Sequence, residues 1–206
     1  MRTVLQRGAE AVLWLDEQEG EKVVVKQRVA KSYRLPQLDE KMRFQRTKTE
    51  RAILDRAARA GVNVPRVLDV KPDTLVLEYV EGKCVKDVFN SISEKERKSI
   101  AETIGMSVAR LHGAGIVHGD LTTSNMIKNR RGLFLFDFGL AQMSMRQEDQ
   151  AGDLFLLKEA VKAAHFMYLN GTWQYIVRAY RESSQNAHAV LAQLEKIERR
   201  RRYKTG

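Results

Sequence analysis

Two carboxylates, each closing a short apolar run, and one asparagine form the part of this chain with the means to do chemistry. The first run is Ile116-Val117, followed by His118-Gly119-Asp120-Leu121-Thr122-Thr123-Ser124-Asn125. After a turn at residues 129–132, the second run, Leu133-Phe134-Leu135-Phe136, is followed by Asp137-Phe138-Gly139. Asn125 stands five residues after Asp120. Phosphoryl transfer needs such a set. One carboxylate orients an attacking hydroxyl or water, while an asparagine and a second carboxylate hold the metal that bridges the phosphates. Asp120 is therefore the candidate base, and Asn125 and Asp137 are candidate magnesium ligands. A lone Asp-Phe-Gly is weak, since any hairpin can end in Asp-x-Gly. The two elements in this order and spacing are specific. A plain hairpin with a solvated turn is the alternative reading.

The same order occurs in the protein-kinase signature, H-R-D-L-x-x-x-N followed by D-F-G. That signature needs an upstream lysine on a strand and a helix glutamate beside it. The β-branched stretch Lys22-Val23-Val24-Val25-Lys26 predicts a strand ending in the candidate lysine, Lys26. A lysine marking a strand edge is the alternative. A helical pattern runs from Gln37 to about Ala60, with Leu38, Met42, Gln45, Thr49, Ile53 and Ala57 near one stripe; Pro36 is expected to break structure before it. Glu50, mid-helix, is the candidate partner of Lys26, or else pairs with Arg46 or Arg51 on a solvated face. Thr3 to Leu15 reads as a strand pair around Gly8. The single glycine there leaves G-x-G-x-x-G absent, and an ordinary β-turn explains it as well. Asp16 to Gly20 reads as a polar turn. Residues 65–70 and 74–79 read as strands. Val80-Glu81-Gly82 reads as a linker, with the main chain from Glu78 to Val80 placed to read an adenine edge and Val24 and Ile127 as its apolar floor and roof, unless they are simple core.

Ser93 and Glu96 form a capping-box signal. The helix behind it carries Ile100, Ile104, Val108 and Leu111 on one face and ends at His112-Gly113. His112 and His165 read as surface or cap residues. About a dozen residues separate Gly139 from the next helix, which Asp153 is expected to open, either capping it or bonding the catalytic loop from below. There is no A-P-E, so a peptide-cradling lobe would be largely missing. Further helices are expected over residues 154–169, stopped at Asn170-Gly171, from Thr172, and over residues 186–200. A basic tail, residues 199–206, closes the chain.

The 206 residues allow one large domain or two small lobes. No apolar run reaches the length of a membrane span, and the first residues have no signal-peptide core. A single cysteine, Cys84, excludes an internal disulfide and a cysteine-based zinc site. The expected compartment is the cytoplasm. The net charge of +10 favours a polyanionic partner, and a generally basic surface is the alternative. Residues 22–51 are the most basic segment, beside the expected phosphate site.

The strings His118-Gly119-Asp120-Leu121-Thr122-Thr123-Ser124-Asn125, Lys26-Gln27-Arg28-Val29-Ala30-Lys31-Ser32-Tyr33-Arg34 and Asp137-Phe138-Gly139-Leu140 resemble the small atypical kinase subunits of KEOPS (EKC) complexes, the Bud32-like kinase family. The resemblance covers nearly the whole chain. It implies an α+β, compact bilobal protein-kinase-like fold: a β-rich N-lobe (residues 1–80), a reduced helical C-lobe (81–198) and the basic tail. It implies ATP and magnesium as ligands, ATPase and serine/threonine kinase activity, and a role in threonylcarbamoyladenosine formation on tRNA. Partners would be the complex's sugar-kinase-like catalytic subunit, its other subunits, and tRNA through the basic surface and tail. On this resemblance Lys26 would bind the α- and β-phosphates, Glu50 would position it, Asp120 would be the base, and Asn125 and Asp137 would bind magnesium. Two alternatives stand beside it. A RIO-type ribosome-biogenesis kinase shares an H-G-D loop, although Thr122-Thr123-Ser124 and the single-glycine loop argue against it. A nucleotide-binding scaffold without turnover is the other, against which the intact Lys26, Asp120, Asn125 and Asp137 argue.

Overall fold

The computed structural model describes residues 2–202. The chain divides into two compact units: residues up to Asp55 together with Pro65–Val80, and Arg56–Val64 together with residues from Glu81 onward. An antiparallel sheet dominates the first and helices the second, the expected α+β composition.

In the first unit the strands are β1 (Thr3–Arg7), β2 (Ala11–Gln18), β3 (Glu21–Arg28), β4 (Val67–Lys71) and β5 (Thr74–Glu78), ordered β1-β2-β3-β5-β4. The valine-rich β3 is central, as β-branched residues favour. Alternation puts Val23 and Val25 on one face, packed with Val76 and Trp14, and Lys26 and Arg28 on the other. The expected polar turn from Asp16 is shorter than its composition implies. Gln18 pairs with Glu21, and Glu19 and Gly20 alone turn the chain, both at positive φ. This is a type I′ turn, whose twist matches the strands and lets them run up to it.

Helix α1 (Pro36–Arg59) starts at Pro36 itself; proline's fixed φ suits a first turn, where its missing N–H costs nothing. The last turn of α1, from Arg56, belongs to the second unit. Its buried face follows the expected stripe at Ile53 and Ala57 but departs from it nearer the start. Leu38 is 51% exposed and Gln45 and Thr49 are exposed, whereas Asp39, Thr47, Glu50, Ile53, Leu54 and Ala57 are buried. The first part of the inward face is polar, because β3 and the β4–β5 turn present cations and an acid to it.

The second unit holds the short α2 (Val85–Val88), the long α3 (Glu94–Gly113), α4 (Gln147–Ala164), α5 (Leu169–Ser183) and α6 (Ala187–Arg202). Strands β6 (Lys83–Cys84), β8 (Met126–Asn129) and β9 (Gly132–Leu135) form one sheet, and β7 (Ile116–Val117) pairs with β10 (Gln142–Met143). The capping box forms: Glu96 N–H donates to Ser93 Oγ and Ser93 N–H to the Glu96 carboxylate. Ile100, Ile104, Val108 and Leu111 are buried as their spacing predicts.

Three boundaries differ from expectation. Helix α4 opens at Gln147, closer to Gly139 than expected, so Asp153 lies inside it and caps nothing. Asn170-Gly171 lies in the first turn of α5; the break falls at His165, whose ring is drawn into the interior. Residues 199–202 are the end of α6, not a separate tail, because the buried Val190 and Leu194 anchor a helix that arginines, good helix formers, extend. Residues 203–206 of the expected tail lie outside the described residues.

Candidate active site

The residues singled out above fall in both units, and each group has its own geometry. In the first unit, β3 sends Lys26 and Arg28 to one face, two residues apart. Lys26 Nζ lies 2.6 Å from Glu50 Oε1, and Arg28 Nη2 lies 2.6 Å from Glu50 Oε2. Arg28 also donates through Nε to Thr47 Oγ1 at 3.3 Å and through Nη2 to the Arg46 carbonyl at 3.3 Å. Glu50 is 3% exposed, so the solvated pairing with Arg46 or Arg51 does not occur. One buried carboxylate thus meets two buried cations.

Also in this unit, Glu78 N–H donates to the Arg66 carbonyl at 2.9 Å, and the Glu78 carboxylate lies 3.2 Å from Arg66 Nε. The Glu78 amide is therefore committed. Val80 is buried, and Val24 half-buried. Asp39 gathers Lys31 N–H, Arg34 and Arg43; the Arg43 bond holds its carboxyl below the usual range.

In the second unit, Asn125 Nδ2 donates to Asp120 Oδ2 at 2.9 Å and to the Asp120 carbonyl at 3.0 Å. The amide nitrogen being committed, Asn125 Oδ1 is the atom that can ligate a hard cation. Phe136 N–H donates to the Asn125 carbonyl at 3.1 Å, which sets Asn125 beside the strand end that carries Asp137. Asp137 has left-handed backbone, φ 62° and ψ 65°, a conformation aspartate tolerates better than most residues. Among the described residues no three His, Cys, Asp or Glu side chains are grouped to hold a metal. Magnesium asks for less. It takes one or two protein oxygens plus phosphates and water, and an amide oxygen with a carboxylate fits that demand. Ile127, on β8, is half-buried opposite Phe134.

His118 joins the two motifs. Its Nε2 donates to the Phe136 carbonyl at 3.2 Å, its Nδ1 accepts the Asp120 N–H at 3.3 Å, and its ring lies 4.5 Å from that of Phe138. Burial pushes its pKa down, so the ring is neutral with the proton on Nε2. Gly119 has φ 79°, and a Cβ there would meet the Leu140 carbonyl oxygen at 2.6 Å. No arginine fits at the position where the general kinase signature has one.

The loop backbone hangs on Asp153, which accepts from His118 N–H at 2.6 Å and Gly119 N–H at 2.8 Å. Of the two roles expected for Asp153, bonding the loop is the one observed. His112 Nε2 lies 3.4 Å from Asp153, and its Nδ1 lies 2.9 Å from the Tyr180 hydroxyl. Burial pushes that hydroxyl up to about 12, so it stays protonated and donates. His165 Nε2 lies 3.0 Å from Thr123 Oγ1 and its Nδ1 2.8 Å from Asn90 Oδ1. Both histidines are buried, against the surface reading. Their partners are distant in sequence, although His112 does continue the apolar stripe through Val108. Arg28 was equally legible as a neighbour of Lys26 on its strand face.

Burial depresses His118 and His165 together. Below about pH 6.5 the unfolded chain binds protons that the folded chain refuses, so stability falls as pH falls through that value toward the folded pKa values. Urea midpoints taken between pH 7.5 and pH 5 are expected to drop, and His165→Gln to flatten the drop. A midpoint that does not move over this range contradicts the neutral assignment.

The described residues contain no helix long and apolar enough to cross a membrane. The RIO domain family matches residues 20–167. A KEOPS complex subunit Bud32 from Pyrococcus abyssi is 37% identical over 211 residues, covering 98% of this chain and 96% of the relative. A probable serine/threonine-protein kinase BUD32 homolog from Archaeoglobus fulgidus is 37% identical, covering 89% of each. A probable bifunctional tRNA threonylcarbamoyladenosine biosynthesis protein from Methanosarcina barkeri is 35% identical over 97% of this chain, which spans only 35% of that relative. This chain belongs to the RIO-domain family and, within its reach, to the Bud32-like kinases, the family that the H-G-D-L-T-T-S-N string resembles.

Proposed function

We propose that this chain is a magnesium-dependent ATPase and atypical serine/threonine kinase that serves as a KEOPS subunit in threonylcarbamoyladenosine modification of tRNA. The observation that carries the reading is the near full-length likeness to the Pyrococcus protein, which is named as a subunit of that complex. The loop geometry supports the chemistry. Lys26 takes the α- and β-phosphates of ATP. Asp120, its carboxylate steadied by Asn125 Nδ2, orients the attacking hydroxyl or water. Asn125 Oδ1 and Asp137 hold magnesium, which when bound neutralises charge on the phosphates. The main chain from Glu78 to Val80, with Val24 and Ile127, receives the adenine. In this reading the chain works by positioning and electrostatics. The net charge of +10 supports tRNA and the complex's sugar-kinase-like subunit as partners, and a cytoplasmic setting goes with that substrate.

A ribosome-biogenesis role is the second reading, favoured by the RIO-domain match. The experiment is magnesium-ATP turnover by the purified chain, with Asp120→Ala as control and the KEOPS catalytic subunit added or withheld. Both phosphate release and phosphate transferred to protein are recorded. Turnover that needs Asp120 and responds to the subunit is the expected result. Nucleotide binding without turnover in any combination leaves a scaffold instead, and co-purification with ribosomal precursors turns the reading to the second.

A further inference from the structure

The string from Lys26 to Arg34 holds more cations than a phosphate site uses, and one of them is buried for another purpose. We propose that Arg28 is a positioning residue for phosphoryl transfer, fixing the Glu50 carboxylate so that Lys26 is aimed at the phosphates. The proposal rests on the reading that Lys26 takes those phosphates.

The geometry separates the two oxygens of Glu50. Arg28 holds Oε2 at 2.6 Å, and Lys26 meets Oε1 at 2.6 Å. The guanidinium is itself fixed, by Thr47 Oγ1 and the Arg46 carbonyl, one turn before Glu50 on α1. Thr47 Oγ1 in turn donates to the Arg43 carbonyl at 2.8 Å. A planar fork that grips the helix backbone and the carboxylate together sets the carboxylate's rotamer. The start of α1 is tied down separately. Arg43 bonds Asp39 at 2.8 Å and Asp73 at 2.7 Å, and Arg28 N–H donates to the Asp73 carbonyl at 2.9 Å. Every group named in this clamp belongs to the first unit. A glutamate held by lysine alone would follow the lysine whenever the ammonium turned to a phosphate. Held by Arg28, it stays, and Lys26 swings about a fixed point.

An ammonium at position 28 keeps the charge but cannot reach the carboxylate, the hydroxyl and the carbonyl at once. Arg28→Lys and Arg28→Met are therefore compared with the parent chain and Lys26→Met, at a temperature well below each unfolding midpoint. Misplacing Lys26 weakens its transition-state contact while the rest of ATP still binds. Arg28→Met is expected to lower kcat about 100-fold and Arg28→Lys about 10-fold, with KM for magnesium-ATP held within about twofold. Amide exchange near residues 46–51 of nucleotide-free Arg28→Lys is expected to quicken about 10-fold, which reads the clamp without any reaction.

Parent kcat in both variants overturns the proposal, since a purely structural role moves stability alone. Parent kcat in Arg28→Lys only means that charge suffices and the fork does not matter. A raised KM at unchanged kcat makes Arg28 a direct phosphate ligand instead. If the parent chain shows no Lys26-dependent turnover, the underlying reading has failed and the proposal falls with it, whatever the exchange rates show about the clamp.

Discussion

Asp137→Ala is expected to lower magnesium-dependent ATP turnover about 1,000-fold, the loss of several kcal/mol of charge stabilisation at the transferring phosphate. The backbone on either side of Asp137 is held by groups of its own. Phe136 is held through its N–H by Asn125 and through its carbonyl by His118, and Phe138 is buried against the His118 ring. The substitution therefore removes the carboxylate and keeps these backbone bonds. Alanine at φ 62° does carry a backbone cost of about 1–2 kcal/mol. Asp137→Asn, better suited to that backbone, is the control for this cost and is expected to lose turnover as well. Magnesium titrations of turnover and metal-free nucleotide binding separate the effects: the first collapses, the second persists. Turnover at the parent level in both variants removes Asp137 from the metal site.

The second large effect is on stability. Glu50→Gln is expected to destabilise the chain by about 3–5 kcal/mol, because it takes away the carboxylate that Arg28 and Lys26 share in a buried place. A protein of this kind has only about 5–15 kcal/mol in total, so the urea midpoint should fall steeply. Adding Arg28→Met withdraws one stranded cation and should return part of the loss, which a double-mutant cycle measures as coupling. A single-variant loss under about 1 kcal/mol would mean that water reaches the triad and screens it, as at a surface ion pair.

Some of this molecule lay open in the residue order. The strand of valines ending at Lys26, the capping box at Ser93 and Glu96, and the apolar face of α3 all depend on neighbours within a few residues. The Asp120–Asn125 bond is equally local, closing a loop of five residues. The family resemblance rests on such short strings, and the relatives bear it out.

Where a partner lies far along the chain, local pattern pointed the wrong way. The stripe chosen for α1 holds at Ile53 and Ala57 but put Leu38 inward, whereas toward the start of the helix Asp39, Thr47 and Glu50 are buried, matched to Lys26, Arg28 and Arg43. His112 and His165 looked like surface groups and are buried against Tyr180, Asp153, Thr123 and Asn90. For Asp153 the order of residues left two roles open, helix cap or support of the catalytic loop, and the fold chose the second, for a loop 34 residues earlier. By itself, then, the sequence determined the strands, the core helices, the order of the motifs and the family. Tertiary structure alone decided which charges go inside, because a buried charge or imidazole is stable only where a specific partner meets it, and periodicity carries no record of a partner brought in by the fold.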